Sequence, residues 1–193
     1  MPLNSNFHGN GRNVFWGEIS PCEHLAQIYD TDNAFLDTLE GFVADGLRAG
    51  ESAIVIATPT HLQILEQRLT AAGLDVAELR WRDQYVSLDA EETLQLFMKD
   101  GWPDEQRFVR LVRGLLACAS RDGRKVRAFG EMVAVMWARG QRAATLHLEH
   151  LWHQLCETDN FSLLCAYPRA GFTQDAASSI NEICAAHSTV LQH

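Results

Sequence analysis

Short apolar runs and helix-spaced apolar stripes alternate along this chain from His24 onward, and that alternation predicts strand-helix-strand units. Residues 25–29 read as a first strand. Phe35, Leu36, Leu39, Phe42, Val43 and Leu47 then recur at helical spacing, with Asp32 as the expected cap and Ala49-Gly50 as the stop. A second strand is expected over 53–57. Thr58-Pro59 places a capping hydroxyl before an N1 proline, and Leu62, Leu65, Leu69 and Ala72 form the buried stripe of a helix ending at Gly73.

Residues 76–80 and 85–88 are expected as short strands, and Asp89 with Glu92 forms a capping box that opens a helix through Met98. Gly101-Trp102-Pro103 breaks the pattern before a longer helix carrying Phe108, Leu111, Val112, Leu115 and Leu116. A turn at Asp122-Gly123, a strand over 125–130, and two helices on either side of Gly140 follow. The almost wholly apolar run over 161–166 suits a central parallel strand, buried on both faces. A last helix is expected over 172–187. Repeated units of this kind predict an α/β domain in three layers, a mostly parallel sheet between helices.

Composition narrows the class. With 193 residues, 47% of them hydrophobic, the chain can bury one sizeable core, so a single domain is expected over residues 22–191. Residues 1–21 are rich in Asn, Gly and Ser and read as an N-terminal arm, in which Val14, Phe15, Trp16 and Ile19 can dock. No run approaches the roughly 18 apolar residues of a membrane span, and no basic region precedes an apolar one at the N-terminus, so a cytoplasmic protein without membrane contact is expected. Five cysteines without CxxC spacing imply buried, reduced thiols. Sixteen basic against twenty-five acidic side chains give −9, which disfavours direct nucleic-acid binding.

The first strand-to-helix turn, Tyr29-Asp30-Thr31-Asp32-Asn33-Ala34-Phe35, lacks the glycines and lysine with which such a turn cradles phosphate. Unit charges about 4 Å apart interact by roughly 1 kcal/mol in water and about 4 kcal/mol at protein-surface dielectric, so Asp30 and Asp32 would oppose a phosphate there. Nucleotide turnover at that turn is not expected.

Five ordered segments resemble motifs of one family: 24–30 (HLAQIYD), 126–133 (VRAFGEMV), 148–152 (LEHLW), 161–168 (FSLLCAYP) and 183–188 (ICAAHS). The family is MEDS, the methanogen/methylotroph DcmR sensory domain. The resemblance implies a RecA/KaiC-like fold whose Walker motifs are lost. It also implies a non-enzymatic sensory role in bacterial signalling that recognises a small organic, hydrocarbon-derived molecule. Some relatives carry a fused DNA-binding segment or histidine kinase; neither is visible here, so the expected output partner, a histidine kinase or transcriptional regulator, is on another chain.

Glu131 follows a buried strand and a glycine, where open α/β sheets expose functional groups. It can orient a ligand hydroxyl or ammonium, or act as a general base; a helix-terminal Glu satisfied by the dipole fits the same position. Tyr29, Asp30, Thr58 and Tyr167 each end a strand on the same edge, and their convergence would make a pocket with aromatic walls and polar anchors. Taken singly, the aspartates read as caps and the tyrosines as core. His24 and His187 join the candidates because they lie in motif segments, with a core histidine bonded to a carbonyl as the alternative. Glu149, between Leu148 and Leu151, is expected to pair with Arg127 or Arg142.

His147, His150 and His153 read as solvated helix surface, since three residues advance a helix by about 300° and the outer pair diverges. Cys165, in an apolar strand, is expected to be unreactive, and no G-x-S-x-G elbow supports a hydrolase triad. No metal set or cofactor fingerprint is apparent, so no cofactor is expected. Three function classes remain: a sensor, a docking module with a vestigial pocket, and an enzyme with Glu131 as base.

Overall fold

The computed structural model describes Trp16, Ile19, residues 22–172, 181–183, 185 and 187–192. Among them, six strands form one parallel sheet: β1 (His24–Tyr29), β2 (Ser52–Ala57), β3 (Tyr85–Asp89), β6 (Val126–Gly130), β7 (Ser162–Pro168) and β8 (Thr189–Gln192). Their order is β3-β2-β6-β7-β1-β8, which puts the apolar 161–166 run between two neighbours, as its lack of a polar face requires. A two-stranded hairpin, β4 (Met98–Lys99) with β5 (Trp102–Pro103), occupies the break around Gly101.

Period-2 alternation in the strands sorts the core into two halves. Ala26, Ile28, Ile54, Ile56, Val126, Ala128, Leu163 and Cys165 face α4 (Ala90–Phe97), α5 (Glu105–Ala119), α6 (Met132–Ala138) and α7 (Arg142–Asp159). Leu25, Tyr29, Ala53, Val55, Phe129, Leu164 and Ala166 face α1 (Asp32–Arg48), α2 (Pro59–Ala71) and α3 (Val76–Trp81). The sheet therefore lies between helical layers, the three-layer α/β architecture expected.

Several local expectations are corrected. Residues 76–80 form helix α3 and not a strand, because the Asp75 carboxylate accepts the Glu78 amide and caps a helical turn. Thr31, and not Asp32, caps α1: its hydroxyl accepts the Ala34 amide at 3.3 Å, and Asp32 occupies the first turn, where its charge suits the dipole. Asp89 caps α4 as expected, accepting from both Glu91 and Glu92. Most of the helix expected over 172–187 lies outside the described residues, although 181–183 and 185 are helical. The edge strand β8, in parallel register with β1, was not anticipated.

Of the arm, Trp16 and Ile19 are described, and Trp16 is buried. Its ring meets Phe42 edge-on at 5.5 Å, and its carbonyl accepts Arg127 Nη2 at 2.9 Å. Arg127, inside the sheet layer, also bonds Phe42 O and Glu51, so its buried guanidinium is paired and hydrogen-bonded. A glycine at 46 makes room for it, since a Cβ there would stand 2.7 Å from Arg127 Cδ. No helix among the described residues is long and apolar enough to cross a membrane.

Candidate functional site

The first polar cluster sits at the C-terminal edge of the sheet, on the α1/α2 side. Glu131 directly follows β6, and its N–H still bonds Ile56 O at 2.8 Å, so the ladder of β2 fixes its backbone. Oε2 accepts the Thr58 amide at 2.8 Å and Oε1 meets His61 Nδ1 at 2.8 Å. Thr58 is the N-cap of α2 and its hydroxyl makes no capping bond, so a carboxylate from another strand anchors the helix start instead. The bond to Glu131 raises the pKa of His61 against the opposing effect of burial.

Aromatic rings wall this cluster. Tyr29 stacks on Phe35 at 4.9 Å, and Phe35 meets His61 edge-on at 4.9 Å. Burial, then the charges of Glu131 and Asp32, hold the Tyr29 hydroxyl well above its ordinary pKa, so it stays protonated. Asp30, exposed beyond the end of β1, pairs with Arg169 beyond the end of β7 at 2.8 Å. The structure thus brings Tyr29, Thr58 and Glu131 together, adds His61, and leaves Asp30 in a surface ion pair on the same edge. A carboxylate, an imidazole and an aromatic wall can hold a small molecule with an apolar body and a hydrogen-bond donor.

Tyr167 does not join them. It sits opposite Ile28, and Tyr29 opposite Pro168, so alternation sends Tyr167 to the α6/α7 face and Tyr29 to the α1 face. The expected convergence of the two tyrosines is therefore corrected: each is packed on its own side of the sheet, and both are buried.

On that opposite face lies the second cluster, which takes in Tyr167, His24 and His187 together with Glu149 and Cys165. Glu149 comes from α7 and is fully buried. Its Oε2 is 3.2 Å from His24 Nε2, 3.4 Å from His187 Nε2 and 3.6 Å from Cys165 Sγ, and Oε1 accepts the Tyr167 hydroxyl. Cys165 Sγ is also 3.6 Å from His24 Nε2. The His24 and His187 rings are 4.0 Å apart, and His187 Nδ1 bonds Ile183 O at 2.6 Å. The expected pairing of Glu149 with Arg127 is corrected, because Arg127 faces the other half of the core and bonds Glu51.

Burial alone would push the Glu149 carboxyl up, but the His187 charge and the closeness of both imidazoles outweigh it and hold the pKa well below the usual range. His187 is raised because attraction to Glu149 overcomes its own burial, whereas burial wins at His24 and lowers it. Burial, then the Glu149 charge, raises the Cys165 thiol well above its ordinary value, in keeping with the unreactive thiol expected. Of the HxxHxxH histidines, His150 is exposed as expected, His147 stacks on Trp102 at 5.1 Å, and His153 stacks on His24 at 5.9 Å.

The family model described as MEthanogen/methylotroph, DcmR Sensory domain (MEDS) matches residues 23–188, which span both clusters from His24 to His187. The chain belongs to the MEDS family. No curated protein matches it. As a MEDS domain it is a sensory domain, and a signalling role follows at that level.

Within this MEDS domain, His61, Glu149 and Cys165 are the site residues that the sequence did not put forward. His61 lies in the first turn of α2, and nothing in its local pattern links it to a strand end seventy residues on. Glu149 did carry a signal: a carboxylate among Leu148, Leu151 and Trp152 on a buried stripe needs polar partners. An open groove of about 1000 Å³ between α2 and α3, lined by Glu66, Thr70, Leu74 and Arg80, contains none of the residues of either cluster.

Proposed function

We propose that this MEDS domain is a non-enzymatic sensor that takes a small, partly apolar organic ligand at the Glu131 edge of the sheet. Occupancy passes to a histidine kinase or regulator on another chain. One observation carries the reading: a largely buried carboxylate bonds a helix N-cap amide and a histidine beside an aromatic wall, next to the exposed turn 30–33. A ligand hydroxyl or ammonium that competes with His61 for Oε1 would loosen α2 from β6, giving two states for which the ligand has different affinity. Small, hydrocarbon-derived molecules with such a donor suit the chemistry of a carboxylate beside aromatic rings.

Thermal-shift screening against small alcohols, amines and hydrocarbons tests this directly. Ligands that raise the Tm of the wild-type chain are expected to lose that effect in Glu131→Gln and Tyr29→Ala, with both variants still folded. Unchanged shifts in those variants would remove the site from the edge.

A second reading is favoured by the burial of Tyr29 and Tyr167, which fill their own surroundings. In it the domain is a docking module, and exposed Trp81, Leu96 and Trp102 are available to a protein partner. Pull-down of a cognate kinase or regulator that survives Glu131→Gln but fails in Trp81→Ser or Trp102→Ser would favour docking over ligand sensing.

A further inference from the structure

We propose that His24, Glu149, Cys165 and His187 form a binding site for a divalent transition-metal cation of the zinc class. Their ligand atoms all lie within 4.8 Å of one another, contributed by β1, α7, β7 and the segment that leads into β8. Tetrahedral zinc, with nitrogen and oxygen at about 2.0–2.2 Å and sulfur at about 2.3 Å, sets its ligand atoms about 3.3–3.7 Å apart. Four of the six edges are 3.2, 3.4, 3.6 and 3.6 Å, and the two that join His187 to His24 and to Cys165 are at most 4.8 Å, so His187 closes on the centre when a cation is bound.

Ordinary charge-assisted hydrogen bonds are shorter. The His61–Glu131 contact at the other site is 2.8 Å, within the usual range of about 2.7–2.9 Å. In the buried cluster both imidazoles stand back from the same oxygen, which leaves a common centre that neither occupies. His187 Nε2 has no aligned hydrogen-bond partner although its side chain is wholly buried.

The surrounding contacts orient the set as metal ligands are oriented. Tyr167 takes Oε1 of Glu149 and so turns Oε2 inward, and the bond from His187 Nδ1 to Ile183 O leaves Nε2 to face the centre. His24 Nδ1 is the one outer position without an acceptor among the described residues. Two imidazoles, a thiolate and a carboxylate suit zinc or its neighbours, whereas magnesium and calcium require oxygen donors. Binding releases the Cys165 thiol proton and the Nε2 proton of the charged His187 ring to buffer, and the cation is then neutralised by thiolate and carboxylate, as a site with no exposure demands.

Such a site has a mechanical consequence that the edge ligand does not. Ser188 N–H and Oγ both bond His24 O at 2.8 Å, and β8 then pairs with β1, so a cation held by His24 and His187 clamps the edge strand onto the sheet. This proposal is independent of the Glu131 reading.

The test uses the full chain, stripped with chelator and titrated with Co²⁺ and then Zn²⁺. Stoichiometric cobalt is expected to give the visible bands of tetrahedral coordination plus thiolate-to-cobalt charge transfer, both displaced by zinc. Cys165→Ser should keep the visible bands and lose the charge transfer. His187→Ala should weaken zinc binding by at least about 100-fold, beyond the loss expected from an outer-shell partner, and speed amide exchange in 189–192. Glu131→Gln should bind zinc as the wild type does. A stripped wild-type chain that gives no tetrahedral cobalt spectrum overturns the proposal without reference to any variant. Spectra and affinities unchanged in both Cys165→Ser and His187→Ala overturn it too, by placing the cation elsewhere.

Discussion

The two polar clusters share one sheet and differ in almost everything else. At the C-terminal edge, Glu131 has its two oxygens on an amide and an imidazole at 2.8 Å, beside an exposed acidic turn. Across the sheet, Glu149 is sealed from water, and one of its oxygens faces two imidazoles and a thiol at 3.2–3.6 Å. The first arrangement can exchange a partner with solvent or ligand at small cost. The second cannot lose a partner without stranding a buried charge. Period-2 alternation creates the division: Tyr167 lies opposite Ile28, one step before Tyr29 in the β1/β7 register, so the two tyrosines serve different clusters.

The largest expected effect breaks the comparison if it fails. Glu149→Ala should cost about 3–5 kcal/mol in chemical unfolding, the range for breaking a buried ionic network. A loss below about 1 kcal/mol would show that the cluster is not held by its charge. Glu131→Gln keeps the shape and removes only the charge, so a smaller loss of about 1–2 kcal/mol is expected, since hydrogen bonds to a charged group contribute about 1.5–3 kcal/mol. Equal losses at the two glutamates would erase the distinction between an exchangeable site and a sealed one.

The smallest effect sharpens it. The folded-state pKa of His61 is raised by Glu131. Its contribution to stability is therefore fully present below the ordinary histidine value of about 6.5 and is lost as pH rises through the folded value. Unfolding free energy measured across that window should fall with rising pH in the wild type and fall less in Glu131→Gln. An identical pH slope in the two would mean that the imidazole and carboxylate are not coupled.

Much of the fold was legible because strand and helix periods are local. The Asp89 box, the Thr58-Pro59 start and the apolar 161–166 run each announced an element that is present. Helix α3 differs from the strand expected there because the apolar positions of Val76-Ala77-Glu78-Leu79-Arg80 fit either element, and the Asp75 cap on Glu78 N–H decides for the helix. Strand β8 is half polar and packs at the sheet edge, where a parallel partner supplies the reason for its conformation and local sequence does not.

The sites were half legible for a different reason. Tyr29, Asp30, Thr58 and Tyr167 are expected at one edge because each ends a strand, and the structure sets Thr58 against Glu131, which the sequence offers only as a separate candidate. Tyr167 ends a strand at the same edge, but the face its side chain takes, which topology alone does not give, puts it on the other side of the sheet. His24 and His187 were singled out, but what they meet depends on long-range packing against Glu149 and Cys165, which no local pattern encodes.

The most direct measurement of the central claim is native mass spectrometry of the freshly purified full chain alongside Glu131→Gln and Cys165→Ser. The predicted result is a small organic adduct on the wild type and on Cys165→Ser that is missing from Glu131→Gln. A nucleoside triphosphate adduct, or an organic adduct that persists in Glu131→Gln, would contradict it.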